Sequence, residues 1–227
     1  MLWESFKEPW WRFEDSLVRD NHQILIDNKI FNIIKDSTLE NSSKILDIWC
    51  WKWTFIHKLM QTFPEFDIYW VDKFFPFDNQ KALGSIKYKQ WDIEEWILYE
   101  DGIFQLCISK FVTMYLKNLW YHFREVARIL EDKQEYLLVS YNPEYPLQKQ
   151  RQYFWNNVSY WEKVENEITW SSVKVELLLH SPDDYYNAIQ DAWFKILSET
   201  WIMHPNPNFK FAELNPFVHI LRLQRNN

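Results

Sequence analysis

A chain of 227 residues with a net charge of −7 has the length for one domain with a sizeable core. The acidic balance argues against a nucleic-acid footprint, and no apolar run reaches the roughly 18 residues that a membrane span needs. Two cysteines, Cys50 and Cys107, make neither a disulfide framework nor a metal cluster; with no apolar leader at the N-terminus, the expected compartment is the cytoplasm.

In chain order, residues 3–40 read as helical, with Leu17, Ile24, Ile26, Ile30, Ile33 and Ile34 at three- and four-residue spacings. Residues 44–48 (KILDI) read as a short buried strand, 49–53 as a turn, and 54–62 as a helix closed by Pro64. A second strand is expected at 66–71, a short helix at 76–86 and a third strand at 86–89. A fourth strand follows at 103–109, an amphipathic helix at 119–130 with Phe123, Val126, Ala127 and Leu130 on one face, and a fifth strand at 135–140. Residues 144–170 have no clear period. A strand at 173–180 leads to Ser181, which suits an N-cap, with Pro182 at the first helical position and Asp183 and Asp184 in the first turn. That helix runs to Ala192, and strands at 194–198 and 217–223 end the chain. Strands alternating with helices predict an α/β fold with a largely parallel sheet.

The composition holds one anomaly. There are 2 glycines and 15 tryptophans, where ordinary usage predicts roughly 16 glycines. Tryptophan stands where glycine's backbone freedom is useful, at expected turns and junctions such as Trp49, Trp51, Trp53, Trp70, Trp91, Trp170, Trp193 and Trp201. An aromatic-rich protein does not explain why glycine vanishes by the same amount. A UGA codon that means glycine in the source organism, and is written here as tryptophan, explains both.

The segment ILDIWCWKWTF (45–55) then carries the chemistry. With glycine at Trp49, Trp51 and Trp53 it becomes a strand, an acid, a G-x-G-x-G turn and a helix start. Such a turn lets backbone approach a nucleotide where any Cβ would intrude, and the next helix offers free N–H groups. Asp72, 19 residues after Trp53, stands near the spacing of about 20 expected for an acid on ribose hydroxyls. The dinucleotide fingerprint G-x-G-x-x-G would instead need a glycine-like residue at Thr54.

These residues resemble the first motif of class I S-adenosylmethionine-dependent methyltransferases, closest to the small-molecule enzymes of the methyltransferase-11 type. IYWVDKF (68–74) resembles the second motif, QWDIEE (90–95) the third, 103–119 the fourth strand and its loop, 122–140 the next helix and strand, and DAWFKILSET (191–200) the Ala-Gly-Phe turn before a late strand. The resemblance implies a Rossmann-like, doubly wound, mostly parallel seven-stranded sheet with an antiparallel C-terminal strand. It implies an N-terminal helical lid (1–40), a methyltransferase domain (41–227) and a substrate-side insertion (144–180). The implied activity is methyl transfer from S-adenosylmethionine to a small-molecule acceptor by in-line displacement. The implied cofactor residues are Asp47 near the amino group; Trp49, Cys50, Trp51 and Trp53 in the turn; Asp72 as the ribose acid, with Lys73 next to it; Asp92 and Ile93 at the adenine; and Ser109 and Phe111 facing the sulfonium.

Catalytic candidates are His180, as a base, and Tyr141, as a pocket residue. The run Tyr141-Asn142-Pro143-Glu144-Tyr145 suggests the Asn-Pro-Pro-Tyr motif of amino-group methyltransferases, but it follows strand five rather than four and has Glu third. No metal site is expected, because the histidines show no ligand spacing. Genuine tryptophans in the turn would favour a non-catalytic binding module on the same fold.

Overall fold

A computed structural model of the chain describes residues 16–49, 53–73, 87–92, 94–144, 147–148, 151, 157–168, 173–203 and 216–226. Its main sheet contains β1 (Lys44–Ile48), β2 (Asp67–Asp72), β3 (Lys87–Gln90), β4 (Phe104–Lys110), β5 (Leu130–Tyr141), β8 (Phe194–Ile202) and β9 (Val218–Arg225). The helices are α1 (Ser16–Lys35), α2 (Trp53–Thr62), α3 (Leu119–Ile129) and α4 (Pro182–Asp191), and β6 (Lys163–Ile168) pairs with β7 (Val173–Leu178) as a separate antiparallel hairpin.

The strand order is β3-β2-β1-β4-β5-β9-β8. Strands β1 to β5 pair in parallel, and β9 runs antiparallel to both β5 and β8. This is the expected seven-stranded, mostly parallel sheet with an antiparallel C-terminal strand. β1 is buried on both faces because helices cover both, as central parallel strands require. One face packs Ile45, Ile108, Leu137 and Ile220 against α1 and α2. The other packs Leu46, Cys107, Leu138 and Leu221 against α3 and α4.

Local signals set the helix starts. The Asn118 side chain accepts from the Tyr121 N–H at 2.9 Å and caps α3. Ser181 and Asp184 form a reciprocal capping box at α4, with Pro182 just inside. α3 stops at Ile129, one residue before the expected end, because Leu130 is already extended and pairs with Phe104 at the start of β5. In α1 the buried stripe is Ile26, Ile30 and Ile34, while Ile24 is exposed.

β6 was not foreseen. Its sequence, KVENEI, carries three charges, and its register comes from β7 rather than from its own pattern. Val164 on β6 joins Leu147, Val158, Leu177 and Leu179 in a small core that packs on Met114 and Tyr115, just after β4. The expected helix at 76–86 lies outside the described residues.

Six non-glycine residues among those described have left-handed φ, and three are tryptophans: Trp49 (63°), Trp161 (69°) and Trp193 (60°). Large side chains rarely occupy that region, which glycine enters freely. Trp193 follows the last turn of α4, donates back to the Gln190 carbonyl at 3.0 Å, and points 67% of its surface to solvent. That is the usual place for a helix-ending glycine. Trp70 and Trp201 differ from expectation, because they lie inside β2 and β8 rather than at junctions. Trp70 is fully buried against Tyr88, with ring centres 4.4 Å apart.

Candidate functional site

The chain leaves β1 toward β2 and β3 on one side and returns through β4 and β5 on the other. That reversal makes a topological switch point at the carboxyl ends of β1 and β4, the place where open α/β sheets form a ligand crevice. Asp47, Trp49, Asp72, Lys73, Asp92, Ser109 and Phe111 all stand at or beside these ends. Cys50, Trp51, Ile93 and the Trp53 side chain lie outside the described residues.

Asp47 is completely buried, and neither carboxyl oxygen has a hydrogen-bond partner among the described residues. Burial is the main cause that pushes its carboxyl up to about 7; Asp72 and Asp27 push the same way, and Lys110 opposes them. An uncompensated buried carboxyl is costly unless a ligand completes it.

Trp49 donates its N–H to the Val71 carbonyl at 2.8 Å, tying the turn to β2. Its indole is buried and meets the Tyr115 ring at 5.5 Å. One bulky ring thus bridges the loop after β1 and the segment after β4.

Asp72 is buried at the end of β2, and its carbonyl accepts the Trp91 N–H at 2.8 Å. Beyond it Lys73 pairs with Asp92 at 2.7 Å. Burial works to raise the Asp92 carboxyl. The Lys73 bond, the Glu94 N–H at 3.2 Å and the Lys117 charge outweigh it and hold the carboxyl below its ordinary value. The two candidates for ribose and adenine contacts therefore hold one another at the β2 and β3 ends.

The last two residues of β4 and the one after it divide their work. Ser109 is fully buried and bonds the Tyr136 hydroxyl, which also meets His122 Nε2 at 3.0 Å. Its hydroxyl is therefore turned into the α3 face instead of the crevice. Lys110 bonds Asp27 of α1, and Lys58 of α2 reaches the other Asp27 oxygen at 2.9 Å. Phe111, at φ 58°, stacks on Tyr141 with ring centres 4.6 Å apart. Tyr141 also meets Phe217, and Phe217 meets His22. These rings line the carboxyl ends of β4 and β5.

His180 Nε2 donates to the Leu116 carbonyl at 2.7 Å, and its ring lies edge-on to Trp161 and Tyr185. This ties the end of β7 to the loop after β4. Burial chiefly holds the imidazole below its usual range. Asn142 spends its amide on the Pro216 carbonyl and its side-chain oxygen on the Glu144 N–H, both at 3.1 Å. It builds the loop, so the Asn-Pro-Pro-Tyr resemblance finds no free amide here.

Two features escaped the reading of the sequence. Asp27 sits on the buried stripe with Phe31 and Ile34, and that acid at apolar spacing was the available signal. The His219–Glu199 pair, 2.6 Å apart across β9 and β8, had none, because antiparallel pairing alone brings the two together.

No protein-family profile matches the chain, and no curated protein does. Solved structures do match. A Listeria monocytogenes protein assigned to the S-adenosylmethionine-dependent methyltransferases superposes with TM-score 0.64 at 12% identity, covering 82% of this chain and 92% of that one. A Methanosarcina mazei S-adenosylmethionine-dependent methyltransferase gives 0.62 at 14%, covering 86% and 97%. The geranyl diphosphate C-methyltransferase of Streptomyces coelicolor, solved with S-adenosyl-L-homocysteine, gives 0.61 at 11%, covering 92% and 82%. The chain has the fold of the S-adenosylmethionine-dependent methyltransferases.

Proposed function

We propose that the protein transfers a methyl group from S-adenosylmethionine to a small-molecule acceptor. The observation that carries this reading is Asp47, a buried carboxyl with no donor among the described residues, near the carboxyl end of β1. Its chemistry suits the cationic end of such a cofactor. Asp72 and Lys73 at the end of β2 suit the ribose, and Asp92 with Ile93 suits the adenine. Phe111 suits the sulfonium side. The ring group Phe111, Tyr141 and Phe217 supplies an apolar wall for an acceptor.

The cofactor supplies its own leaving group, so the protein's task is to align the reacting atoms and exclude water. His180 is better suited to positioning than to proton abstraction, since its Nε2 is committed to a carbonyl. Residues 144–180 serve the acceptor side, with the N-terminal segment 1–40 as its lid.

The same reading includes glycine at the tryptophan positions of the natural protein. The left-handed φ of Trp49, Trp161 and Trp193 supports it. UGA at codons 49, 51 and 53 is the expected result, and UGG there overturns it. With genuine tryptophans, the buried Trp49 indole favours the alternative, a non-catalytic module.

Calorimetry with S-adenosylmethionine on the chain carrying glycine at positions 49, 51 and 53 tests the function. The expected outcome is one site per chain, followed by S-adenosylhomocysteine release when a suitable acceptor is added. Absence of binding overturns the reading.

A further inference from the structure

Asp47 shares its side of the sheet with Lys110, whose strand pairs directly with β1. Among the described residues, the charged groups around it are Lys110 on β4, Asp72 on β2 and Asp27 on α1, with Lys58 of α2 reaching in through Asp27. Lys110 is nearly buried and is bonded to Asp27, not to Asp47. Lys110 thus spends its charge on Asp27, and the Asp47 carboxyl beside it is fully buried with no hydrogen bond among the described residues. A low-dielectric site tolerates that poorly.

We propose that Asp47 holds a proton while the crevice is empty and releases it when the cationic end of the cofactor arrives, so that cofactor uptake is coupled to proton release. The exchange balances: the O–H bond of the carboxyl breaks, the proton passes to solvent, and the carboxylate gains the ligand's positive charge as its partner. The inference rests on the cofactor reading above. Burial, which holds the free carboxyl up at about 7, supports it, because that leaves a proton to lose near neutral pH.

The test is calorimetry of S-adenosylmethionine on the full chain with glycine at 49, 51 and 53, in two buffers of different ionisation heat. At about pH 6 the heats should differ by the equivalent of roughly one proton released per ligand bound. Affinity should rise about tenfold per pH unit below the titration of Asp47 and flatten above it. Asp47→Asn should bind with no buffer dependence and a flat pH profile. Binding by the unsubstituted Asp47 protein with equal heats in both buffers overturns the proposal, and so does proton release that persists in Asp47→Asn. No binding at any pH is a separate result, which removes the cofactor reading and this inference together.

Discussion

Lys110 and Asp47 stand on the same face of the sheet at the ends of neighbouring strands, yet the lysine bonds Asp27 on α1 and leaves both Asp47 oxygens without a donor among the described residues. The helix thus neutralises the lysine, and the acid is kept for something else.

Removing the Asp27 charge should therefore be costly. Asp27→Asn leaves the nearly buried Lys110 without its counter-charge, and the expected loss is about 3 kcal/mol in urea unfolding. Lys58→Met removes the partner that is 43% exposed, and should cost under about 1 kcal/mol. Equal losses would mean that the Asp27–Lys110 bond is not the dominant tie.

Trp193→Gly should raise stability by about 1 kcal/mol, because it relieves a left-handed residue whose indole is mostly in solvent. Trp193→Ala keeps a Cβ at φ 60° and should gain little. Thermal unfolding of the two variants separates backbone relief from simple removal of an exposed ring.

These positions also mark what could be read without a structure. The strand at 44–48 was legible because a short apolar run bounded by polar residues and a break in pattern reads as a buried strand. The α4 start was legible because Ser181, Pro182 and Asp184 each answer a local need. Pairings that span the chain were not. β6 takes its register from β7, and Ser109 turns toward Tyr136 because β4 and β5 bring them together. Trp161 entered no turn signal, although its φ places it with Trp49 and Trp193.

The buried histidine of α3 predicts an acid-side stability loss. Burial holds His122 down at about 4, against 6.5 in the unfolded chain. Between those values the unfolded chain binds a proton that the native state refuses, so stability falls as pH drops, by up to about 3 kcal/mol. Asp47 works the other way: its native carboxyl is raised, so its stabilising contribution falls as pH rises from about 4 to about 7. The measurement is consequently a difference. Urea stability of the parent minus that of His122→Phe should shrink steadily from about pH 6.5 to pH 4, and a constant difference would contradict the buried neutral histidine.

The most direct test of the central claim is equilibrium binding of tritiated S-adenosylmethionine to three versions of the chain. Glycine at 49, 51 and 53 should give stoichiometric binding. Asp72→Ala in that background should weaken it about tenfold, as the loss of a charge-assisted hydrogen bond to ribose would. The chain with all three tryptophans should retain no bound label. Label bound by the tryptophan chain as tightly as by the glycine chain, or by neither, would contradict the account.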